Sequence, residues 1–466
     1  MFDIVYIVSH GFASRMVTQT NLLGKLVQAG KSVALISPDK EDIVLKNYCN
    51  EEGVELYEFN PSSSFWTSQY TDSRKYFLED IDSNVALKEK HIWAIKYNTS
   101  KNPWNHLRPR VLYLVYKLIK KFPIIRKWYR LKEQKYLKSN EAENLIKRLN
   151  PKYLVSTYPV SFGESMLLKA GNNNNSTITM IHLLSWDNIT CKGHFPELAQ
   201  KYIAWGPIMK QEFIEYYKIE PFNIEICGVP HFDIHYESKS KPDFKKYIIQ
   251  LGLDPDKPYL FFGMSSPRFA PKEIEIVEQL SVALHNNKFG ERMQMVVRPH
   301  PQNVQGYMAD LSWLPRLSKL QSKRVGIDYP LLKESKMQWS MEQADMIKLS
   351  QLLVHSKLCI NSGSTLCIDA LSCNIPVLVS AFDSDSELNY WKSARRLMDF
   401  PHLRKLREMG GFVVASSIEN LIDEITNFIS DPNRDLEKRK HALVMEISSN
   451  SGMATTSVFD YLINLN

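Results

Sequence analysis

Short apolar runs alternate along this chain with longer amphipathic segments, a pattern typical of α/β proteins. Residues 2–8 are almost wholly apolar, as expected for a parallel strand that is buried on both faces. A turn at 9–11 leads into apolar residues at helical spacing, and a second strand is predicted at 33–37. This opening predicts a βαβ unit of the Rossmann type, although it lacks the G-x-G-x-x-G fingerprint of dinucleotide binding.

The same rhythm runs through the first half of the chain and begins again in the second half. Further strands are predicted at 152–157, 177–184, 201–205, 258–263, 293–297, 358–361, 376–379 and 411–415. Helices are predicted at 342–354, 386–397, 417–430, 435–449 and 453–464, whereas the patterns at 39–100 and 304–340 are weak.

Glycine, proline and polar residues between 228 and 243 indicate a domain boundary. We therefore predict an α/β fold in which two Rossmann-like parallel-sheet domains, residues 1–235 and 243–440, face each other across a cleft. A basic insertion is expected at about 100–140, and the C-terminal helix, within 441–466, is expected to pack back on the first domain.

Composition places the chain among ordinary globular proteins, with 466 residues, a net charge of +7 and 44% hydrophobic residues. The six cysteines have no C-x-x-C spacing, which argues against a zinc ribbon or a disulfide framework. Residues 1–8 read as a strand rather than as a signal peptide, and no apolar run approaches the length of a membrane-spanning helix. We expect a cytoplasmic protein.

One segment departs from this average composition. Residues 108–138 contain eleven basic residues and one acid, Glu133, with aliphatic and aromatic residues interleaved. Such a segment can lie on an anionic membrane surface, and it can equally form a solvated basic face of a packed helix. The sequence leaves both interpretations open. If the segment lies on a membrane, the protein is expected to be peripheral on the inner face of that membrane.

Polar loops follow three predicted strands of the second half, at 265–268, 298–301 and 362–365. Since the carboxyl ends of parallel strands lie on one edge of a sheet, these loops are expected to meet there. Arginines, an imidazole, hydroxyls and a glycine at a helix start are suited to the phosphates of a bound nucleotide. The predicted donor-binding residues are Ser265, Ser266, Arg268, Arg298, His300, Ser362, Gly363, Ser364 and Thr365.

Two positions of the first half also follow predicted strands. His10 comes after the first strand, where open α/β sheets place ligands. Trp186, Asp187 and Asn188 come after the strand at 177–184, and a tryptophan beside carboxylate and amide oxygens can hold a sugar. Each of these residues also has a structural interpretation as a cap or as a buried side chain.

The order of these elements resembles a known group of enzymes. The two-domain layout, the His300-Pro301 loop, the helix start at 362–365 and the turn at 374–377 are similar to the nucleotide-binding half of GT-B glycosyltransferases. Within this group, the chain most resembles enzymes of bacterial surface-polysaccharide biosynthesis and the CDP-glycerol glycerophosphotransferases. These enzymes also carry a His-Pro loop. Residues 185–190 with 228–233 look like a pair found in that group.

The resemblance implies transfer of a sugar from a nucleotide-sugar donor to a glycan or lipid-linked acceptor, without a metal or other cofactor. It implies that His300 assists the departing nucleotide, and that Asp369 holds the ribose where many GT-B enzymes have a glutamate. An inverting enzyme would need a general base from the first domain, and His10 and Asp187 are the candidates. The D-x-D sequence at 383–385 occurs twice more in the chain, and we interpret it as a loop rather than as a metal site.

Other functions stay open. Polyol-phosphate transfer from CDP-glycerol would use much the same site. UDP-N-acetylglucosamine 2-epimerases share the fold, but Ser364 and Cys367-Ile368 replace their second glycine and their acidic pair. A non-catalytic protein that binds membrane through 108–138 is a further alternative, and no nucleic acid is expected as a partner because no nucleic-acid-binding motif is recognised.

Overall fold

A computed structural model describes residues 1–61, 65–239, 243–304, 310–337, 339–449 and 452–465, with only the backbone described at 65–68. The chain divides into two compact units. The first consists of Met1–Cys227, Glu334–Ser340 and Val458–Asn466, and the second of Gly228–Lys333 and Met341–Ser457.

The first unit is built on a seven-stranded parallel sheet. Its strands are β1 (Ile4–Ile7), β2 (Val33–Ser37), β3 (Glu55–Glu58), β4 (Tyr153–Ser156), β5 (Ile178–His182), β6 (Lys201–Ala204) and β7 (Ile224–Ile226). Their order in the sheet is β3-β2-β1-β4-β5-β6-β7, so β1 is an interior strand, and its residue Ile4 pairs with Val33 on one side and Tyr153 on the other. This is the Rossmann arrangement that the opening βαβ pattern predicted.

Helices cover both faces of this sheet. They are α1 (Gly11–Thr18), α2 (Leu22–Gln28), α3 (Ile43–Glu52), α4 (Phe65–Leu78), α5 (Val85–Lys96), α6 (Pro103–Ile119), α7 (Pro123–Tyr136), α8 (Asn140–Leu149), α9 (Phe162–Asn172), α10 (Asn188–Cys191) and α11 (Pro207–Tyr217). A 3-10 turn at Pro221–Asn223 precedes β7. Four of these helices, α4 to α7, form an insertion between β3 and α8.

The unbroken apolar character of β1 follows from burial on both faces. Ile4 and Tyr6 contribute to one hydrophobic cluster, while Val5 and Ile7 contribute to a separate one. Met337, from the late segment Glu334–Ser340, also lies in the first of these clusters, as do Val458 and Leu462 of the last helix.

The second unit contains a six-stranded parallel sheet in the order β10-β9-β8-β13-β14-β15. Its strands are β8 (Tyr259–Gly263), β9 (Gln294–Arg298), β10 (Val325–Ile327), β13 (Cys359–Asn361), β14 (Val377–Ser380) and β15 (Val413–Ala415). The short strands β11 (Leu332–Lys333) and β12 (Ser340–Met341) lie outside this sheet.

The helices of the second half are α12 (Asp233–Ser238), α13 (Phe244–Gln250), α14 (Glu273–His285), α15 (Pro301–Val304), α16 (Trp313–Leu320), α17 (Gln343–Val354), α18 (Leu366–Ser372), α19 (Pro401–Glu408), α20 (Ile418–Ser430), α21 (Leu436–Ile447) and α22 (Ala454–Asn464). Two 3-10 helices, Pro230–Phe232 and Ala394–Asp399, complete the elements of the described residues.

Most of the predicted strands and helices are confirmed, but some element predictions are wrong. The helix predicted at 386–397 is absent, and turns and the 3-10 helix Ala394–Asp399 occupy that region. The weak patterns at 39–100 and 304–340 conceal regular elements, among them β3, α5 and α16. The basic segment 108–138 lies within α6, α7 and the residues next to them.

Candidate active site

In the second unit, the polar loops at 265–268, 298–301 and 362–365 follow β8, β9 and β13, which are neighbours in the sheet. Phe261 of β8 pairs with Val296 of β9 and with Cys359 of β13. All three strands run parallel, so the three loops leave the same edge of one sheet. The structure therefore brings together the loops that the sequence nominated for phosphate binding.

A buried glutamate that the sequence did not single out connects two of these loops. Glu273, in the first turn of α14, is 1% exposed, and its Oε2 accepts a hydrogen bond of 2.6 Å from the backbone N–H of Ser265. Its Oε1 accepts a hydrogen bond from the hydroxyl of Ser362. Burial raises the pKa of Glu273 to about 8, so the carboxyl group is largely protonated at neutral pH.

The turn after β13 requires glycine at one position. Gly363 has a φ of 95°, and its N–H donates to Oδ1 of Asn361 at 2.7 Å. A Cβ atom built on Gly363 would lie 2.9 Å from Cε of Met398. The next two residues, Ser364 and Thr365, are half-buried at the start of α18, while Ser362 is fully buried and directed to Glu273.

His300 has a defined tautomer when its ring is neutral. Its Nδ1 accepts the backbone N–H of Gln302 at 3.0 Å, so the proton resides on Nε2, which is then a hydrogen-bond donor. In the neighbouring loop, the hydroxyl of Ser266 is buried and has no hydrogen-bond partner among the described residues. Arg268 is half-buried and lies beside the ring of Phe269. These three side chains supply the kinds of donor that a phosphate accepts.

Two predicted donor-binding residues form buried ion pairs or hydrogen bonds inside the second unit, and donor binding by either stays a prediction. The guanidinium of Arg298 is 7% exposed and forms ion pairs with Asp328 and Asp345. Burial lowers the pKa of Arg298, but these two carboxylates outweigh burial and raise it above its ordinary value. This geometry favours a structural role for Arg298, because its terminal nitrogens already bind acids within the fold.

Asp369 is the second predicted donor-binding residue that is bonded inside the second unit. It is 7% exposed and accepts a hydrogen bond of 3.0 Å from Nε2 of His235 on α12. Burial alone would lower the pKa of His235, but Cys373 and Asp369 raise it to about 10, so the imidazole is charged at neutral pH. The Asp369–His235 pair joins α18 to α12, and a contact of Asp369 with ribose stays a prediction.

In the first unit, His10 follows β1 and caps α1. Its Nδ1 accepts the backbone N–H of Phe12 at 3.1 Å, and its ring packs against Phe12, Tyr158 and Trp339. Burial lowers the pKa of His10 to about 4, with the nearby Lys192 adding to the effect. At neutral pH the ring is therefore neutral with its proton on Nε2, an arrangement that favours hydrogen-bond donation over a role as general base.

Asp187 is the more suitable base of the two candidates. Its side chain is half-buried, with Oδ1 accepting the Ser185 hydroxyl at 2.7 Å and Oδ2 lying 2.9 Å from Nζ of Lys192. Asp187 raises the pKa of Lys192, so the lysine is charged in this ion pair. Trp186 and Asn188 are 4% and 0% exposed, and acceptor binding by either residue stays a prediction.

The first unit has its own buried glutamate at the corresponding sheet edge. Glu164, in the first turn of α9, is 1% exposed, and its Oε1 accepts hydrogen bonds from both the N–H and the hydroxyl of Ser9. Its Oε2 accepts from the hydroxyl of Ser156 and from the N–H groups of Thr157 and Tyr158. Glu164 thus holds the loops that follow β1 and β4, including the loop that carries His10.

The insertion helices α6 and α7 have an apolar face that is exposed in the structure. Among the residues whose side chains the structure describes, 20 large hydrophobic residues are exposed; nine of them lie on these two helices and the turn between them, and each of the nine is 42% to 74% exposed. Their spacing of three and four residues aligns them along one side of each helix; they are Trp104, Leu107, Val111, Leu114, Leu118, Phe122, Ile124, Trp128 and Leu131. Among the described helices, none is both long and apolar enough to cross a membrane.

The structure of the chain is similar to those of several enzymes that act on nucleotide-sugars or transfer glycosyl groups. A glycosyltransferase from Rickettsia africae matches with a TM-score of 0.50 and 12% identity, over 100% of this chain and 99% of that one. The UDP-GlcNAc 2-epimerase from Neisseria meningitidis bound to UDP-GlcNAc matches at 0.55 and 12%, over 99% and 100%. MnaA from S. aureus with UDP matches at 0.56 and 12%, over 100% and 98%.

At the level of sequence, no protein-family model matches the chain, and a search of curated proteins finds no match. Identities of 12% establish the fold and not the reaction. The chain therefore has the α/β fold of the GT-B type, with two parallel sheets of seven and six strands.

Proposed function

We propose that this protein is a glycosyltransferase that moves a sugar from a nucleotide-sugar donor to an acceptor in the synthesis of a surface polysaccharide. The observation that carries the proposal is the meeting of three polar loops at one edge of the second sheet, after β8, β9 and β13. Ligands of open α/β sheets bind at the carboxyl ends of the strands. Similar structures hold UDP-GlcNAc and UDP, which makes uridine nucleotides the first donors to test.

In this proposal the second unit binds the donor phosphates. Arg268 provides a cation, Nε2 of His300 a hydrogen bond, and Ser364 and Thr365 add hydroxyl groups at the start of α18. When the sugar leaves, negative charge accumulates on the nucleotide phosphate, and donors that are already in position lower the barrier to that step. The proposed reaction therefore needs no metal, and EDTA should leave the rate unchanged.

The first unit provides the proposed acceptor side. Asp187 is the proposed acceptor of the proton of the attacking hydroxyl group, with its orientation held by Lys192 at 2.9 Å. His10 would donate a hydrogen bond from Nε2, since its Nδ1 is occupied by the N–H of Phe12. Ser9 and Ser156, both bonded to Glu164, hold this loop in place.

We infer that the acceptor is carried by an anionic membrane on its cytoplasmic side, where α6 and α7 bind. An exposed apolar stripe on a basic helix is suited to the interface of a bilayer with acidic headgroups. Tyr116 and Tyr129 are buried on the inner faces of the two helices, which leaves the outer faces for lipid. Inserting one of the half-exposed leucines would contribute about 1 kcal/mol.

The test is transfer of label from nucleotide-sugars to membrane extracts by the purified protein. We expect one UDP-, GDP-, dTDP- or CDP-sugar to label a lipid or glycan, and Ser364→Ala and Asp187→Asn to lower the rate without unfolding the protein. Ser312→Ala, outside the three loops, is the matched control for Ser364→Ala. Label transferred only from CDP-glycerol would identify a polyol-phosphate transferase instead. Conversion of UDP-GlcNAc to its 2-epimer without any acceptor would identify an epimerase.

A further inference from the structure

The first unit contains a cavity of about 460 Å³ between the insertion helices α4, α5 and α6 and the residues that follow α10. Its wall includes five cationic side chains and two acids, Asp72 and Glu79. The cations are Arg74, Lys75, Lys90, Arg108 and Lys192, which come from four separate parts of the chain. Tertiary folding has therefore gathered positive charge around one concave site.

Several of these cations are held in place by contacts within the first unit. Arg74 is paired with the buried Glu133, and Arg108 lies 3.2 Å from Asp72, whose side chain is 65% exposed. The other acid of the wall, Glu79, is hydrogen-bonded to His194. Nδ1 of His194 lies 2.8 Å from Oε2 of Glu79. The acid that is buried in the wall is thus already hydrogen-bonded to His194.

Lys90 is a cation of the wall that has no ion-pair partner among the described residues. Its ammonium donates to the carbonyl oxygen of Cys191 at 2.8 Å, and no carboxylate among the described residues lies within ion-pair distance of it. Burial, together with repulsion from Lys192, lowers the pKa of Lys90 to about 8. A bound anion would offset both effects, because it would place an opposite charge within ion-pair distance of Lys90.

The form of the cavity indicates what kind of anion it takes. Its volume is that of a small-molecule site, larger than a single halide or carboxylate needs. Ammonium groups act as point charges for phosphate, and Arg108, which is held by Asp72 and by the carbonyl oxygen of Gln69, adds the charge of a guanidinium to the wall. Leu112 and Pro109 of α6 add an apolar portion to the wall, suitable for the group that carries the phosphate.

We propose that this cavity binds the phosphate or diphosphate group of a phosphorylated ligand, with Lys90 among the cations that contact it. If the proposed function holds, that ligand is the acceptor, because Lys192 both lines the cavity and pairs with the candidate base Asp187. Helix α6 would then have two roles. Arg108 on one side contacts the phosphate, while residues such as Leu114 on the other side contact the bilayer that carries it.

The experiment compares Lys90→Met with Lys88→Met in the full-length protein. Lys88 lies two residues earlier on α5, outside the cavity, where it pairs with Asp82 at 3.6 Å. Calorimetry with inorganic pyrophosphate, and sedimentation with phosphatidylcholine vesicles containing a polyprenyl diphosphate, provide the two probes. We expect Lys90→Met to weaken binding of at least one probe roughly tenfold or more, and Lys88→Met to bind like the wild type.

Binding of free pyrophosphate would identify a site for soluble phosphate esters, while binding confined to the vesicles would identify a lipid-borne group. If Lys90→Met fails to fold, Arg108→Gln provides the same comparison, and Lys90→Arg should retain binding. The proposal is overturned if the wild type binds neither probe, or if the Lys90 and Lys88 variants behave alike. Binding of UDP is measured separately with His300→Ala, so failure of the donor site is distinguishable from failure of this cavity.

Discussion

Replacing Glu273 by glutamine should remove a large pH dependence of stability from the second unit. The carboxyl group has a pKa of about 8 in the folded protein against 4.5 as its ordinary value. Because the folded state holds the proton more tightly than the unfolded state, stability from this group is present below pH 4.5 and is lost as pH rises through 8. The difference corresponds to up to about 5 kcal/mol.

Glutamine reproduces the protonated carboxyl group closely. Its oxygen can accept the N–H of Ser265, and its amide can donate to the hydroxyl of Ser362, but it has no charge to bury at high pH. We therefore expect Glu273→Gln to be more stable than the wild type at pH 9 and close to it at pH 5. Glu278→Gln, on the same helix and paired with Arg316 at the surface, should keep the pH dependence of the wild type.

The assay is urea unfolding of the full-length protein at a series of pH values, with the transition of the second unit followed separately from that of the first. If the difference between the urea midpoints of the wild type and Glu273→Gln stays constant between pH 5 and 9, the carboxyl group is not protonated in the folded state. That result would refute the explanation of how the loops after β8 and β13 are held together.

Three further predictions concern other parts of the molecule. Gly363→Ala, at a φ of 95°, should lower the free energy of unfolding by about 1–3 kcal/mol in the same urea assay, and an unchanged midpoint would contradict the turn geometry. His10→Asn should keep the cap of α1 but lose the ring contacts with Phe12, Tyr158 and Trp339, so the melting temperature should fall modestly; removal of the ring Nε2–H should also lower the transfer rate of the folded variant, and a normal rate would exclude His10 from the site. Leu118→Ser with Ile124→Ser should weaken sedimentation with anionic vesicles roughly tenfold, while Val282→Ser, exposed to a similar extent on α14, should not; equal sedimentation of all variants would remove α6 and α7 as the membrane surface.

The central strands could be predicted from sequence because their burial is visible in each residue. β1 and β8 are buried throughout, and unbroken apolar runs mark both. The edge strands β3 and β10 lack such an unbroken apolar run. β3 has exposed glutamates at both ends, and β10 has three residues with Gly326 at its centre. The segment 386–397 has enough charged and aromatic residues to look helical, but it folds as turns before a 3-10 helix.

For the candidate site, the sequence indicated which loops meet but not what each side chain does there. The end of a strand marks Ser265 and His300 as residues of a sheet edge, and topology then brings their loops together. Arg298 also ends a strand, yet its partners Asp328 and Asp345 lie 30 and 47 residues further along the chain. Such distant pairs leave no local pattern.

The roles of the two buried glutamates also could not be predicted from the sequence, because their partners are distant along the chain. Glu273 and Ser362 are 89 residues apart, and Glu164 contacts Ser9 across 155 residues. In the sequence each is simply an acidic residue near the start of a helix, a common place for one. Their burial and their hydrogen bonds depend on the packing of neighbouring strands, which only the folded structure reveals.

Donor binding by the second unit is measured by calorimetric titration of nucleoside diphosphates into the wild type, His300→Ala and Asp187→Asn. If the loops of the second unit bind the donor phosphates, one nucleotide should bind the wild type and Asp187→Asn equally well. Its affinity for His300→Ala should fall roughly tenfold, because a hydrogen bond to a charged oxygen is lost. Equal affinity for all three proteins, or no binding of any nucleotide, would contradict the assignment.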